Sequence, residues 1–177
     1  MAAWSSGVNR PGVSDLDALS RVLEAALLIA PDNPDHYEDM ARLALLRSGM
    51  PGTAGAARSG WLRQGLVSIR RAIALRPASP YDWAVLLRLK SESGEYDAEF
   101  RRSLERTVTL GPWEPGLQGV VLDAGLNAWD VLPVAEREMV RESYHRGLKR
   151  QAGAMLDVIF AHRNGCVVST GYDGCVQ

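Results

Sequence analysis

Little in this chain invites chemistry. Its 177 residues include two cysteines, three histidines and two phenylalanines. The cysteines, Cys166 and Cys175, both fall in the last twelve residues, so no disulfide framework runs through the chain. His36, His145 and His162 sit on separate segments, none within a nucleophile or metal motif. Twenty basic residues face 21 acidic ones, a net charge of −1, which argues against a broad electrostatic surface for nucleic acid or membrane. No apolar run approaches the ~20 residues that cross a bilayer. Met1 to Arg10 is short and polar, unlike a signal peptide. Nowhere does apolar-polar alternation persist long enough for a strand, so the fold class is expected to be all-α.

What the chain does have is proline in a pattern. Ala26-Leu27-Leu28-Ile29-Ala30-Pro31 runs into Asp32-Asn33-Pro34. Ala72-Ile73-Ala74-Leu75-Arg76-Pro77 runs into Ala78-Ser79-Pro80, and Thr107-Val108-Thr109-Leu110-Gly111-Pro112 into Trp113-Glu114-Pro115. Proline cannot continue a helix but suits its first turn, so each copy reads as a helix stop and a new start. Pro77 and Pro112 are 35 residues apart, whereas Pro31 and Pro77 are 46 apart. The excess falls to Ser48–Ala57, a stretch of small residues and helix breakers that reads as a loop insertion.

The helices before each proline pair share a stripe: Leu19, Leu23, Ala26; then Gly65, Ile69, Ala72; then Phe100, Leu104, Thr107. Steps of four and three residues place each set on one face. The opposite faces carry Arg63, Gln64, Arg70 and Arg71, then Glu99, Arg101, Arg102 and Glu105, most simply a solvated exterior. Three residues past each second proline stand Tyr37, Trp83 and Gln118, at the joint between helices. Ser14 with Asp17 is the expected N-cap of the first helix. From Val134 a long helix through Val140, Tyr144 and Leu148 to Phe160 is expected to cap the array, bent or split at Gly147 or Gly153. Asn164 to Gln177 reads as irregular.

Ala72-Ile73-x-Leu75-x-Pro77, Trp83 and the turn Gly94-Glu95-Tyr96-Asp97 resemble the tetratricopeptide (TPR) repeat over roughly residues 14–127. The departures are Leu87 at a position for a small residue, where Ala41 keeps the pattern, Gly65 for the usual alanine, and Gln118 for an aromatic. The resemblance implies an α-solenoid of about three helix pairs: a flexible segment 1–13, a repeat domain 14–163 and a tail 164–177. It also implies a concave groove lined by the first helix of each pair. Five residues beyond Tyr37, Trp83 and Gln118 lie Arg42, Arg88 and Asp123. The two arginines, with Tyr81 nearby, would clamp a carboxylate of a partner peptide or an anionic polymer. A pairing with Glu38 or Asp39 within the chain is an equal alternative, and commonly contributes only ~0–1 kcal/mol.

The order Leu75 to Ala84, Leu110 to Pro115, then Ala128-Trp129-Asp130 before a final helix resembles small bacterial exopolysaccharide-biosynthesis proteins of the VpsP type. That resemblance implies a membrane-anchored helical-repeat domain in the periplasm, with Ala3 to Gly7 following a removed anchor; a cytoplasmic location is the alternative. It supplies no catalytic residue and no cofactor. The expected role is a non-catalytic scaffold that binds a protein partner. The alternatives are a carbohydrate-binding module using exposed tryptophan faces, or a helical glycan-active enzyme with unidentified carboxylates.

Trp61, Trp83, Trp113 and Trp129 could stack on sugar rings, but filling helix joints is favoured roughly three to one given the area each buries. Trp113, in a turn, is the expected exception. For Cys166 and Cys175, a disulfide in an oxidising compartment ranks first, at ~2–3 kcal/mol. Free thiols rank second. Zinc with His162 ranks last, because a fourth ligand is missing.

Overall fold

The computed structural model describes residues 12–114 and 116–170, and among these every regular element is helical. The helices are α1 (Val13–Ile29), α2 (Pro34–Ser48), α3 (Gly55–Leu75), α4 (Pro80–Ser93), α5 (Ala98–Leu110), α6 (Leu117–Asn127), α7 (Val134–Ala161) and α8 (Gly165–Thr170). A 3-10 turn, Trp129–Val131, leads into α7. The chain divides into two compact units, Met1–Pro77 and Ala78–Gln177.

In the first unit α2 packs between α1 and α3. Pro34 opens α2, capped by Asn33, whose Oδ1 accepts from the Asp35 N–H at 3.0 Å. Leu16 and Leu23 of α1 meet Met40 and Leu43 of α2 in a small core. Arg47 ties the three helices together. Its Nη2 donates to the Leu16 carbonyl at 3.0 Å and to Asp17 at 2.7 Å, while its guanidinium lies 4.4 Å from the Trp61 ring centre on α3. The N-cap of α1 is Gly12, not Ser14; the Asp15 carboxylate turns back to accept the Gly12 N–H at 2.8 Å. The connection between α2 and α3 covers residues 49–54, because Ala56 and Ala57 are good helix formers and join the first turn of α3. On α1 the buried residues are Leu16 and Leu23; Leu19 is exposed.

The second unit is built on α4, which buries residues on nearly every face and packs against α5 and α6. Its start repeats that of α2: Pro80 in the first turn, and Ser79 Oγ accepting from the Asp82 N–H at 3.3 Å. It ends on Gly94 at φ +69°, a left-handed position that a side chain would strain. Asp97 then caps α5, taking the Phe100 N–H at 3.0 Å. Phe100, Leu104 and Thr107 are all fully buried on α5, as the stripe requires. The core continues through Val121, Leu122, Leu126, Trp129, Val140, Tyr144 and Met155.

The third proline pair behaves differently. Pro115 lies outside the described residues, and α6 starts at Leu117 after Gly116 at φ +85°. Gln118, buried where an aromatic was expected, donates from Nε2 to the Pro112 carbonyl at 3.1 Å. Tyr37 OH does the same to the Pro31 carbonyl at 2.9 Å. Both side chains therefore satisfy the proline carbonyl six residues back, so an amide does at one joint what a phenol does at another. α7 breaks at Gln151 (φ −147°, ψ 52°), between the two glycines expected to bend it. The break returns Met155 onto Gly147, where an added Cβ would stand 2.4 Å from Met155 Sδ. Within the tail expected to be irregular, 165–170 form α8.

Lys90, fully buried near the end of α4, holds the turn to α5. Its ammonium donates to Glu95 at 2.5 Å and Asp97 at 2.7 Å, with Glu99 at 3.5 Å. Burial alone would push the Lys90 pKa down; the bonds to Asp97 and Glu95 outweigh it and the net shift is upward. Burial would likewise raise Asp97, but the bonds from Lys90 and the Phe100 N–H hold its carboxyl below the usual range.

Two outcomes follow. Asp97 is lowered in the folded state, so its contribution is present above the unfolded carboxyl pKa near ~4 and is lost as pH falls through the folded value. Acid unfolding monitored by circular dichroism should thus show a steeper loss of stability below about pH 4 in the wild type than in Asp97→Asn, which keeps the cap but not the charge. Calorimetry should also separate two glycines. Gly125→Ala forces a Cβ to 2.4 Å from Val140 Cγ2 and should cost about 1–3 kcal/mol. Gly60→Ala, in open space inside α3, should stabilise by about 0.5–1 kcal/mol.

Candidate functional site

Two of the four expected binding residues meet at one corner of the second unit. Tyr81 stands in the first turn of α4, and Trp113 in the connection after α5. The antiparallel α4/α5 hairpin brings these ends together. Gly111 approaches Pro80 so closely that an added Cβ would lie 2.8 Å from Pro80 Cβ. Tyr81 OH donates to Glu114 Oε2 at 2.6 Å. That hydrogen bond first, then desolvation and the Glu114 charge, push the Tyr81 pKa above its ordinary value.

Trp113 is 49% exposed, while Trp83 and Trp129 are buried and Trp61 is half-buried beneath Arg47. The guanidinium of Arg146, on α7, lies 5.3 Å from the Trp113 ring centre and is paired with Glu142. One turn on, Arg150 Nη1 donates to the Trp113 carbonyl at 3.3 Å. The corner thus offers a phenol, an indole, two guanidinium groups and a carboxylate, held by contacts that preset their orientation. Glu114, Arg146 and Arg150 were not singled out in the sequence. Glu114 lies inside the proline phrase itself, and the four-residue spacing of the two arginines on α7 was the signal available.

The other two candidates lie elsewhere. Arg42, on exposed α2 surface, donates to Glu38 from Nε at 2.9 Å and from Nη2 at 2.6 Å. Glu38 also receives Arg76 at 2.9 Å, which in turn reaches Asp35 at 2.7 Å. Arg42 therefore sits in the intramolecular pairing that was its alternative reading. Arg88 is half-buried on α4, and its Nε is buried without a hydrogen bond among the described residues. Asp123, third in that series, pairs with His162 Nε2 at 2.9 Å.

The charged face of α5 forms one side of an open cleft of about 710 Å³, where Arg101, Arg102, Glu105 and Arg106 face Glu136 and Met139 of α7. Its charges are mixed, and Arg102 lies over the Trp83 ring at 5.6 Å. Cys166 is half-buried against the α6/α7 core. Cys175, and with it the expected disulfide, lies outside the described residues. Among the described residues no group of three or more His, Cys, Asp or Glu could hold a metal ion, and no helix is long and apolar enough to cross a membrane.

Set against known proteins, the chain matches no family model, no curated protein and no solved structure.

The Tyr81–Glu114 bond has a direct spectroscopic readout. In a spectrophotometric titration Tyr81, identified by its loss in Tyr81→Phe, should ionise above the ordinary phenol value of about 10. Glu114→Gln should bring it back towards that value. An unchanged curve would mean that the bond does not form in solution.

Proposed function

We propose that this protein is a non-catalytic, TPR-like adaptor that captures a protein partner, with the Tyr81/Trp113 corner as a contact point. The observation carrying this reading is that Trp113 is exposed yet held in place by Arg146 and Arg150, beside a Tyr81 fixed by Glu114. Aromatic and arginine side chains dominate binding energy at protein interfaces, and side chains already ordered lose less entropy on binding. The stop-start helix phrases support the solenoid arrangement that belongs to the same proposal. The setting, a bacterial exopolysaccharide synthesis or export assembly on the extracytoplasmic side of the membrane, rests on the resemblance in the order of its motifs. Arg42 and Arg88 remain partner-binding candidates, each within its own unit.

Direct carbohydrate binding is the second reading, favoured by the exposed Trp113 ring flanked by hydrogen-bonding groups. A sugar needs an apolar face and adjacent polar atoms, and this corner has both.

Tyr81→Ala combined with Trp113→Ala leaves buried residues untouched, so the fold should persist by circular dichroism. Capture of a partner from a membrane extract of the source cells should fall at least ~10-fold, the loss of one strong contact. Unchanged capture would contradict the assignment. Retardation in a polysaccharide-containing gel, lost with Trp113→Ala alone, would instead favour the carbohydrate reading.

A further inference from the structure

α1 is apolar on two faces, and only one of them is used. Leu16 and Leu23 turn towards α2, with Leu27 packed beside them. On the other side Ala18, Val22, Ala25 and Ile29 follow one another at steps of four, three and four residues, the spacing of a coiled-coil seam. All four are exposed, Val22 at 64% and Ile29 at 86%. Leu19 and Leu28 flank them, the latter 87% exposed. Of the charges on α1, Asp17 is turned to Arg47 of α2 and Glu24 accepts from Ser20 at 3.0 Å. Asp15, one heptad before Val22, is drawn back to the Gly12 N–H at the helix start, and Arg21 borders the seam. Among the described residues the main packing partner of α1 is α2, and that contact uses only the Leu16/Leu23 stripe.

The geometry points to a second copy of this chain as the occupant, docked antiparallel along α1 about a two-fold axis near residues 23 and 24. The reason lies in side-chain size. A parallel pair in register would set Ala18 against Ala18 and Ala25 against Ala25, leaving gaps beside Val22 and Ile29. An antiparallel pair sets each Val22 against an Ala25 and each Ala18 against an Ile29, with Leu19 and Leu28 on the flanks of the seam. Small meets large at every layer, which close packing demands. The match is self-complementary, as a two-fold contact requires. Opposed macrodipoles favour the same direction.

The area is sufficient but modest. These side chains expose on the order of 500 Å² per copy, so a pair removes on the order of 1,000 Å² from water, at the lower edge for specific association. Because α1 is already folded on α2, no helix-forming cost attends docking. An interface of this size is accordingly expected to associate reversibly.

Sedimentation equilibrium of the full chain over ~1–200 µM tests this. The mean mass should rise from one copy towards two, and Val22→Glu with Ile29→Glu should weaken association at least ~100-fold by burying unpaired charge. Val67→Glu, at a position 65% exposed on α3, should leave it unchanged. Circular dichroism checks the fold of each variant; if the double glutamate variant unfolds, Val22→Ser with Ile29→Ser gives the same reading at a smaller fold-change. A chain still monomeric at ~200 µM overturns the proposal, as does a dimer insensitive to the α1 changes or equally sensitive to Val67→Glu. A monomer that instead binds lipid vesicles would give the face to a membrane and overturn it too.

Discussion

An ammonium group sealed from water must carry its counter-charges with it, and Lys90 does so through three carboxylates placed just beyond the turn that follows α4. Glu95, Asp97 and Glu99 lie on the connection and the first turn of α5, so the charge that α4 buries is neutralised only when α5 folds back alongside. Asp97 does double duty, capping α5 while it receives the lysine. The hairpin is consequently fixed at its closed end by electrostatics, because an unpaired charge there is far costlier than a paired one. At its open end the device is steric: Gly111 admits Pro80, and Tyr81 reaches Glu114. Between the two ends, burial of Leu87, Phe100, Leu104 and Val108 supplies the apolar contact. The exposed corner with Trp113 is thus a consequence of how the hairpin is closed, and its side chains arrive already positioned.

Much of this architecture could be read from proline and from apolar spacing, since both act locally. Pro34 and Pro80 open helices because the missing N–H costs nothing in a first turn. The stripes on α3 and α5 are buried as their spacing requires. Local rules failed where long-range contacts decide. Spacing could not tell which of the apolar faces of α1 meets α2, so Leu16, and not Leu19, became the core residue. Nor did composition reveal that Gln118 would serve a proline carbonyl as Tyr37 does, because hydrogen bonding and aromatic packing leave different marks in sequence but fill the same joint. The break in α7 fell at Gln151, between the two glycines expected to cause it, where the chain turns back to seat Met155.

The site was partly legible for the same reason. Tyr81 and Trp113 stood out by position within the proline phrases, and the hairpin brings their neighbourhoods together. Their supports, Glu114 in the connection after α5 and Arg146 and Arg150 on α7, come from two elements and become visible only once these are packed. Arg42 shows the converse: a residue placed in a groove by counting finds its partner one turn away in Glu38. Nothing in the charge pattern marked Lys90 as buried, although the acidic residues after Gly94 were the counter-charge it required.

The central claim is that the Lys90 clasp makes α4 and α5 a single cooperative element. Amide hydrogen exchange of residues 84–91 and 100–108, compared between the wild type and Lys90→Ala, tests it directly. Exchange in both helices should quicken together by roughly 30-fold or more, equivalent to about 2 kcal/mol once the half-exposed carboxylates are allowed for. Loss of protection in one helix without the other, or in neither, would contradict the account.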